Sequence, residues 1–408
     1  MDRILATHTG SLIRPDDLLR FLAARDRGDD YDQNAYESCL QRAVSDVVAR
    51  QVEVGIDVVD DGEMGKTSWI TYLYERVSGL EARLVTLEGA SMLPPSRDRQ
   101  HFPGAYASLD ALDEAATRNS NIAPDGDTRD DDPSTGQVVQ WVCTGPIRYD
   151  PAALRRDIAN LRAAVTDHPD VEAFLPVVAP ASAYWLANEH YANEEDFVYA
   201  LADALHEEYR AIVDAGLLLQ VDDAVLMHEA DTMMSRGESF KDYRRWAELR
   251  VAALNHALRG LPEDRIRYHV CWGSWHGPHA FDPPLRDVVD LVLQVNAGFY
   301  AMEQANPRHE HEWRLWEDVS LPEGKKLIPG VVTHHTNVVE HPELVAQRLM
   351  RLAGVVGRDN VLAGTDCGFA QGAFIQRVHP EIQWAKLAAL AEGARIASRE
   401  LWGARAAV

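Results

Sequence analysis

The chain has 408 residues, 46% of them hydrophobic and 25% charged, an ordinary globular composition long enough for one large domain with additions or for two. Its formal charge of −24 and pI near 5.0 exclude a phosphate-backbone partner and disfavour an anionic membrane surface, because nucleic-acid binders concentrate Lys and Arg. No stretch approaches roughly 18 uninterrupted apolar residues, and the opening MDRILATHTGS lacks a basic leader followed by an apolar core, so a soluble cytoplasmic protein is expected, with a homo-oligomer compatible with the composition.

In chain order, short apolar runs ending in polar or small residues alternate with longer helix-periodic segments. The runs are ILATHTGS (4–11), GIDVVDDGE (55–63), EAFLPVVAPAS (172–182), LLLQVDD (217–223), IRYHVCWGS (266–274), GFYAMEQAN (298–306), KLIPGVVTHH (326–335) and NVLAGTDCGF (360–369). Each is followed by a helical pattern. Asn193 opens one, with acidic residues in its first turn and Phe197, Leu201, Leu205 and Ile212 along a face; His341-Pro342 opens another, with Val345, Leu349 and Leu352.

Such alternation predicts parallel strands with crossover helices, as an open doubly wound sheet or a closed eightfold barrel. Functional residue types end nearly every run rather than gathering at one switch point, and neither G-x-G-x-x-G after the first run nor a Walker-type loop occurs. The expected fold is therefore α/β, a single (β/α)8 TIM barrel over 1–408. A ninth strand-like run, QVVQWVCTGPIRY (137–149), is assigned to an added hairpin. Residues 91–136, rich in Pro, Asp, Ser and Gly, form a long irregular insertion after the second strand, either a solvated acidic loop or a lid.

The four cysteines, Cys39, Cys143, Cys271 and Cys367, are scattered rather than arrayed as a disulfide framework, so reduced thiols are expected. Cys39 falls in a helix-periodic stretch and reads as structural; Cys143 reads as buried or substrate-adjacent. His269 and Cys271, two positions apart on one predicted strand, point to the same face. Glu303 and Cys367 end later strands, so in a barrel all four converge on one rim. Two thiolates, an imidazole and a carboxylate suit tetrahedral Zn2+, sulfur softness selecting against Mg2+ or Ca2+.

A divalent cation held by two thiolates and a carboxylate leaves a net charge of about −1, a poor setting for acidifying water and a better one for holding a substrate thiol as its nucleophilic thiolate. Alkyl transfer to sulfur is thus favoured over hydrolysis. Nucleobase deaminases do activate water on a His/Cys/Cys zinc, but they carry H-x-E and P-C-x-x-C signatures absent here.

HTGS (8–11), DDGE (60–63), QVDD (220–223), HVC (269–271), the Glu303 strand, PGVVTHH (329–335) and TDCG (365–368) together resemble, in order and approximate spacing, the catalytic half of cobalamin-independent methionine synthase, over nearly the whole chain. The resemblance implies an eightfold barrel whose zinc ligands are His269, Cys271, Glu303 and Cys367. It also implies Ser11, Glu63 and Asp222 as holders of the amino acid's carboxylate and amino groups, and His335 as proton donor. The partners implied are a small-molecule thiol, homocysteine or a relative, and a folate-type methyl donor.

Structural roles are open for the same residues: Asp222 capping the helix after its strand, Glu63 pairing with Lys66 or Arg76, and His334 rather than His335 facing the pocket. The chain also departs from the long synthases. A single barrel's length is present, Asp222-Asp223-Ala224 stands in place of Asp-Glu-Pro, and KTSWITYLYERVSGLE and ANPRHEHEW look like the short branch that includes epoxyalkane:coenzyme M transferase. That branch implies conjugation of a small thiol to an epoxide as the second reading, and a zinc-stabilised binding protein is the third. His309 and His311 offer a second metal site; pocket shaping or pairing with Arg308 and Arg314 is the reading favoured by their place in a post-strand loop.

Overall fold

The computed structural model describes residues 2–86, 95–109 and 137–403. Its strands are β1 (Val58–Val59), β2 (Val77–Thr86), β3 (Gln137–Tyr149), β4 (Glu172–Val178), β5 (Leu186–Asn188), β6 (Leu218–Asp222), β7 (Ile266–Val270), β8 (Phe299–Met302), β9 (Lys326–Val332) and β10 (Gly364–Thr365). Seven of them form a parallel sheet in the order β1-β4-β6-β7-β8-β9-β10. The sheet is curled. Residues 5–7 of the first apolar run join its two edges: Thr7 bridges Val58 and Ala6 bridges Ala363, both parallel, with Thr7 N–H donating to Ala363 O at 2.8 Å and Ala363 N–H to Leu5 O at 2.9 Å.

Register sets the rim. Val178 lies opposite Asp222, Asp222 opposite His269, His269 opposite Ala301 and Ala301 opposite Ile328. The strands therefore end level, and whatever follows each last paired residue is delivered to one face. Inside the curl, the buried Arg267 guanidinium lies 3.7 Å from the Phe174 ring centroid and donates to Thr7 Oγ1 and His8 O, satisfying a charge that burial would otherwise penalise.

The crossover helices begin where side chains can cap them. Asp32 accepts from Asn34 and Ala35 N–H ahead of Gln33–Glu53, and Asn193 accepts from Asp196 N–H at 2.8 Å ahead of Glu194–Asp214. His341 and His379 use ring nitrogens to cap Pro342–Val356 and Pro380–Trp402. Two crossovers depart from expectation. After β7 the chain makes only a three-residue 3-10 turn and the four-residue helix Val289–Val292, and after β8 a 3-10 helix, Glu310–Glu317. Pro278, Pro283 and Pro284 remove backbone donors from the first of these segments, which explains its lack of a full helix.

The added hairpin is wider than the sequence suggests. Residues 137–149 form one strand, antiparallel to β2 and parallel to β5, so the second arm of the hairpin is 77–86. The Gly-Pro pair that looks like a turn is instead a bulge: Gly79 has φ +86°, and a Cβ there would meet Pro146 O at 2.6 Å. Of the expected insertion, 95–109 is described, with a short helix at Arg97–His101; 91–94 and 110–136 lie outside the described residues. Cys39 is buried on the helix Gln33–Glu53 and Cys143 is buried on β3, both as free thiols. Among the described residues no helix is long and apolar enough to cross a membrane.

Arg76 and Glu208 form a buried ion pair at 2.7 Å. Removing one partner strands the other charge, so Arg76→Met is expected to lower unfolding stability by about 3–5 kcal/mol. Urea denaturation of the two proteins checks this, and an unchanged midpoint would contradict it.

Candidate active site

Each functional side chain stands on, or just past, the end of a strand. His269 is the fourth residue of β7 and Cys271 follows its end; Cys367 is two residues beyond β10. Their ligand-capable atoms all lie within 4.8 Å of one another, and all three residues are buried. The two sulfurs are 4.0 Å apart. Neither His269 ring nitrogen has a hydrogen-bond partner. A fully buried imidazole with both nitrogens unpaired, facing two thiols, is costly as it stands and is the arrangement a soft divalent cation would satisfy. The two thiols titrate as a pair: Cys271 and its neighbour Cys367 share a proton, which pushes Cys271 up and Cys367 well down. Ser274 Oγ also donates to Cys367 Sγ at 3.0 Å.

Glu303 follows β8 directly and is buried beside this group, but its carboxylate oxygens are outside the 4.8 Å cluster. Oε1 accepts from Trp272 N–H at 3.1 Å and Oε2 from the Asn306 amide. Burial, then the nearby Asp366 and Cys367 charges, hold its carboxyl well above the usual range. A cation brought to the cluster would reverse that.

Asp366 went unnoticed in the sequence. Its Oδ1 accepts Gln304 N–H at 2.9 Å and Ala305 N–H at 2.8 Å, tying the tip after β8 to the tip that carries Cys367. Gly330 makes the approach possible, since a Cβ there would fall 2.1 Å from Asp366 Oδ1. The G of PGVV and the D of TDCG were the available signals.

A polar cavity wall adjoins the sulfurs. Glu63 adopts φ +56°, a left-handed conformation that is unusual outside glycine and that concentrates at functional sites. The sequence folds locally to hold it: His8 Nε2 meets Gln51 Oε1 at 2.7 Å, Gln51 binds Asp60 N–H and O, and Asp61 Oδ1 accepts Glu63 N–H at 2.9 Å. Asp222 ends β6, receives Gln220 Nε2 at 2.9 Å, and is pushed up to about 7 chiefly by burial, with His269 opposing. The helix that follows has Asp223, not Asp222, at its N-cap position. Glu63 has Lys66 Nζ at 3.9 Å, while Arg76 belongs to Glu208. Asp60 Oδ2, Glu63 Oε2 and Gln220 Oε1 are buried acceptors without a partner, a set suited to a cationic substrate group. Ser11 accepts Ala370 N–H at 3.3 Å and presses on Gly368, so it lies against the Cys367 loop.

His334 and His335 leave β9 together, ring centroids 4.7 Å apart. His334 is fully enclosed and burial takes it down to about 3, with the Cys367 charge opposing; His335 is half-buried beside His276 at 5.7 Å, and burial takes it down to about 4. His309 forms no second metal centre. Its ring stacks on Trp272 at 3.8 Å and is clamped by Glu312 at 2.9 Å and Asp282 at 3.1 Å.

The family model described as "Cobalamin-independent synthase, Catalytic domain" matches residues 151–389. A methionine synthase from Thermococcus kodakarensis is 21% identical over 96% of this chain and 93% of its own. A 2-hydroxypropyl-CoM lyase from Xanthobacter autotrophicus is 23% identical over 92% and 91% respectively. The structure of a B12-independent methionine synthase from Shewanella sp. W3-18-1, in complex with selenomethionine, superposes with a TM-score of 0.69 at 19% identity over 98% of this chain and 99% of that one, a likeness of fold. Since the family model covers more than half of the sequence, the chain belongs to the cobalamin-independent synthase catalytic-domain family.

Proposed function

We propose that the protein is a zinc-dependent thiol S-alkyltransferase on a (β/α)8 frame, transferring a methyl group from a folate-type donor to homocysteine or a related thiol. The observation that carries this reading is the buried His269–Cys271–Cys367 group with both imidazole nitrogens unpaired, beside carboxylate oxygens that also lack partners. His269, Cys271, Cys367 and, after a turn of its carboxylate, Glu303 would hold Zn2+. Zinc bound there lowers the pKa of a coordinated substrate thiol and keeps it as thiolate.

The chain's own residues supply the rest. Glu63 and Asp222 grip the α-ammonium group, and Ser11 faces the α-carboxylate. With the amino acid so held, its sulfur is aimed at the methyl carbon. A sulfur–carbon bond forms as the donor's nitrogen–carbon bond breaks, the electron pair stays on nitrogen, and His335 passes that nitrogen a proton.

Ionised Asp222 binds an ammonium group better than its acid does, so thiol affinity should strengthen as pH rises through about 7. The wild-type slope minus that of Asp222→Asn isolates this contribution from the thiol's own ionisation. Identical slopes would remove Asp222 from the ammonium site.

A second reading is supported by the likeness to the 2-hydroxypropyl-CoM lyase: conjugation of a small thiol to an epoxide. Purified, zinc-loaded protein is offered homocysteine with methyl-folate and, separately, coenzyme M with an epoxide. Product in the first assay is expected; product only in the second would overturn the methionine reading. Stoichiometric zinc without turnover in either would favour a binding protein.

A further inference from the structure

The loop from Thr333 to Glu340 leaves β9 with both His334 and His335, and it is closed on itself at its base. Glu340 Oε1 accepts Thr333 N–H and Thr333 Oγ1–H, each at 2.9 Å. From below, Lys386 on the helix Pro380–Trp402 donates to Glu340 Oε2 at 2.8 Å, to Thr333 Oγ1 at 3.2 Å and to Val338 O. The Lys386 side chain is fully enclosed and Glu340 is nearly so. Beyond the clamp the loop is open to solvent, Val338 being 74% exposed.

Stability alone does not account for this pair. A buried ion pair is commonly no better for stability than well-packed apolar residues of similar volume, and what it adds is a fixed arrangement of the backbone it binds. Here all three lysine hydrogens go to the two ends of one loop. Burial works against the Lys386 charge and Glu340 supports it. The two residues immediately after clamped Thr333 are the imidazoles beside the sulfur cluster.

We propose that Glu340 and Lys386 are positioning residues for the transfer step: they fix the base of the 333–340 loop so that His334 stays enclosed against Cys367 and His335 is presented at the rim. The proposal rests on the proton-delivery role given to His335 above. It assigns the pair no part in holding metal or thiol.

The test uses the full chain loaded with zinc. Lys386→Met and Glu340→Gln are each expected to keep one metal per chain and an unchanged KM for the thiol while kcat falls about 10- to 100-fold, the scale of a misplaced reacting group. Glu340→Gln retains an acceptor for Thr333 and serves if Lys386→Met fails to fold. In a His335→Ala background the same substitutions should cost nothing further, because the group they position is gone. A full additional loss in that background, or a fall in metal content with a rise in KM, would mark a merely structural role and overturn the proposal. The second readout needs no turnover: carbethoxylation by diethyl pyrocarbonate, followed peptide by peptide, should become several-fold faster at His334 in either variant. Wild-type protein inactive with every thiol and alkyl donor would overturn the proposed function, whereas unchanged labelling of His334 in a folded variant would overturn the clamp.

Discussion

Cys367→Ser is expected to lose tightly held zinc and, with it, essentially all alkyl transfer, while remaining folded. Serine is isosteric but is a poor ligand for a soft cation, so one of the two sulfurs set 4.0 Å apart is lost from the donor set. The curled sheet should survive, since Cys367 lies beyond β10 and its neighbours are held by other bonds: Phe369 N–H to Ser11 O at 2.8 Å and Asp366 to the 304–305 backbone. Metal analysis after dialysis against a mild chelator, with circular dichroism alongside, checks both halves. One zinc per chain in both proteins would refute the ligand assignment; a collapsed spectrum would refute the claim that the frame stands apart from the metal.

His335→Ala should retain zinc and thiol binding and slow transfer by about 10²- to 10³-fold, within the range of a lost general acid. Being neutral at physiological pH, with burial taking it down to about 4, His335 serves by passing on a proton rather than by storing one. The companion His334→Ala tests the neighbour. His334 is nearer the Cys367 charge and fully enclosed, so its loss opens a cavity against the sulfurs and should disturb metal retention more than proton transfer. Single-turnover rates with metal content measured on the same samples separate the two. Unchanged turnover in His335→Ala would exclude the role given to it.

The alternation of apolar runs and helix-periodic segments made the parallel sheet legible, and level strand ends made the convergence of His269, Cys271 and Cys367 legible. These are local signals: a period, and a residue type at the end of a run. What the sequence concealed depends on long-range placement. β2 reads poorly as a strand because Glu81 and Arg83 face outward and Gly79 bulges it, so the partner of 137–149 was hidden. The crossovers after β7 and β8 kept apolar spacing but lost their helices to proline. At the site, Glu303 is a ligand type in the right place whose direction is set by the Trp272 backbone and Asn306. Adjacent histidines are indistinguishable in sequence; their separation into an enclosed and a rim position follows from how Glu340 and Lys386 bend the loop, which no spacing rule encodes.

The joining of the sheet edges by residues 5–7 has a consequence for the order of assembly. Ala6 meets Ala363 across more than three hundred positions, so the first apolar run emerges early and waits for one of the last segments before both its sides are paired. Closing a contact of that span is slow, and until it forms the run's polar backbone is an unprotected edge. Cys367 arrives only four residues after Ala363, so the same late event that seals the frame also completes the sulfur pair. Metal uptake by this protein is then a marker of finished folding, and a chain halted before that seam should emerge in a pulse-labelling experiment as zinc-poor and prone to association through its open edge.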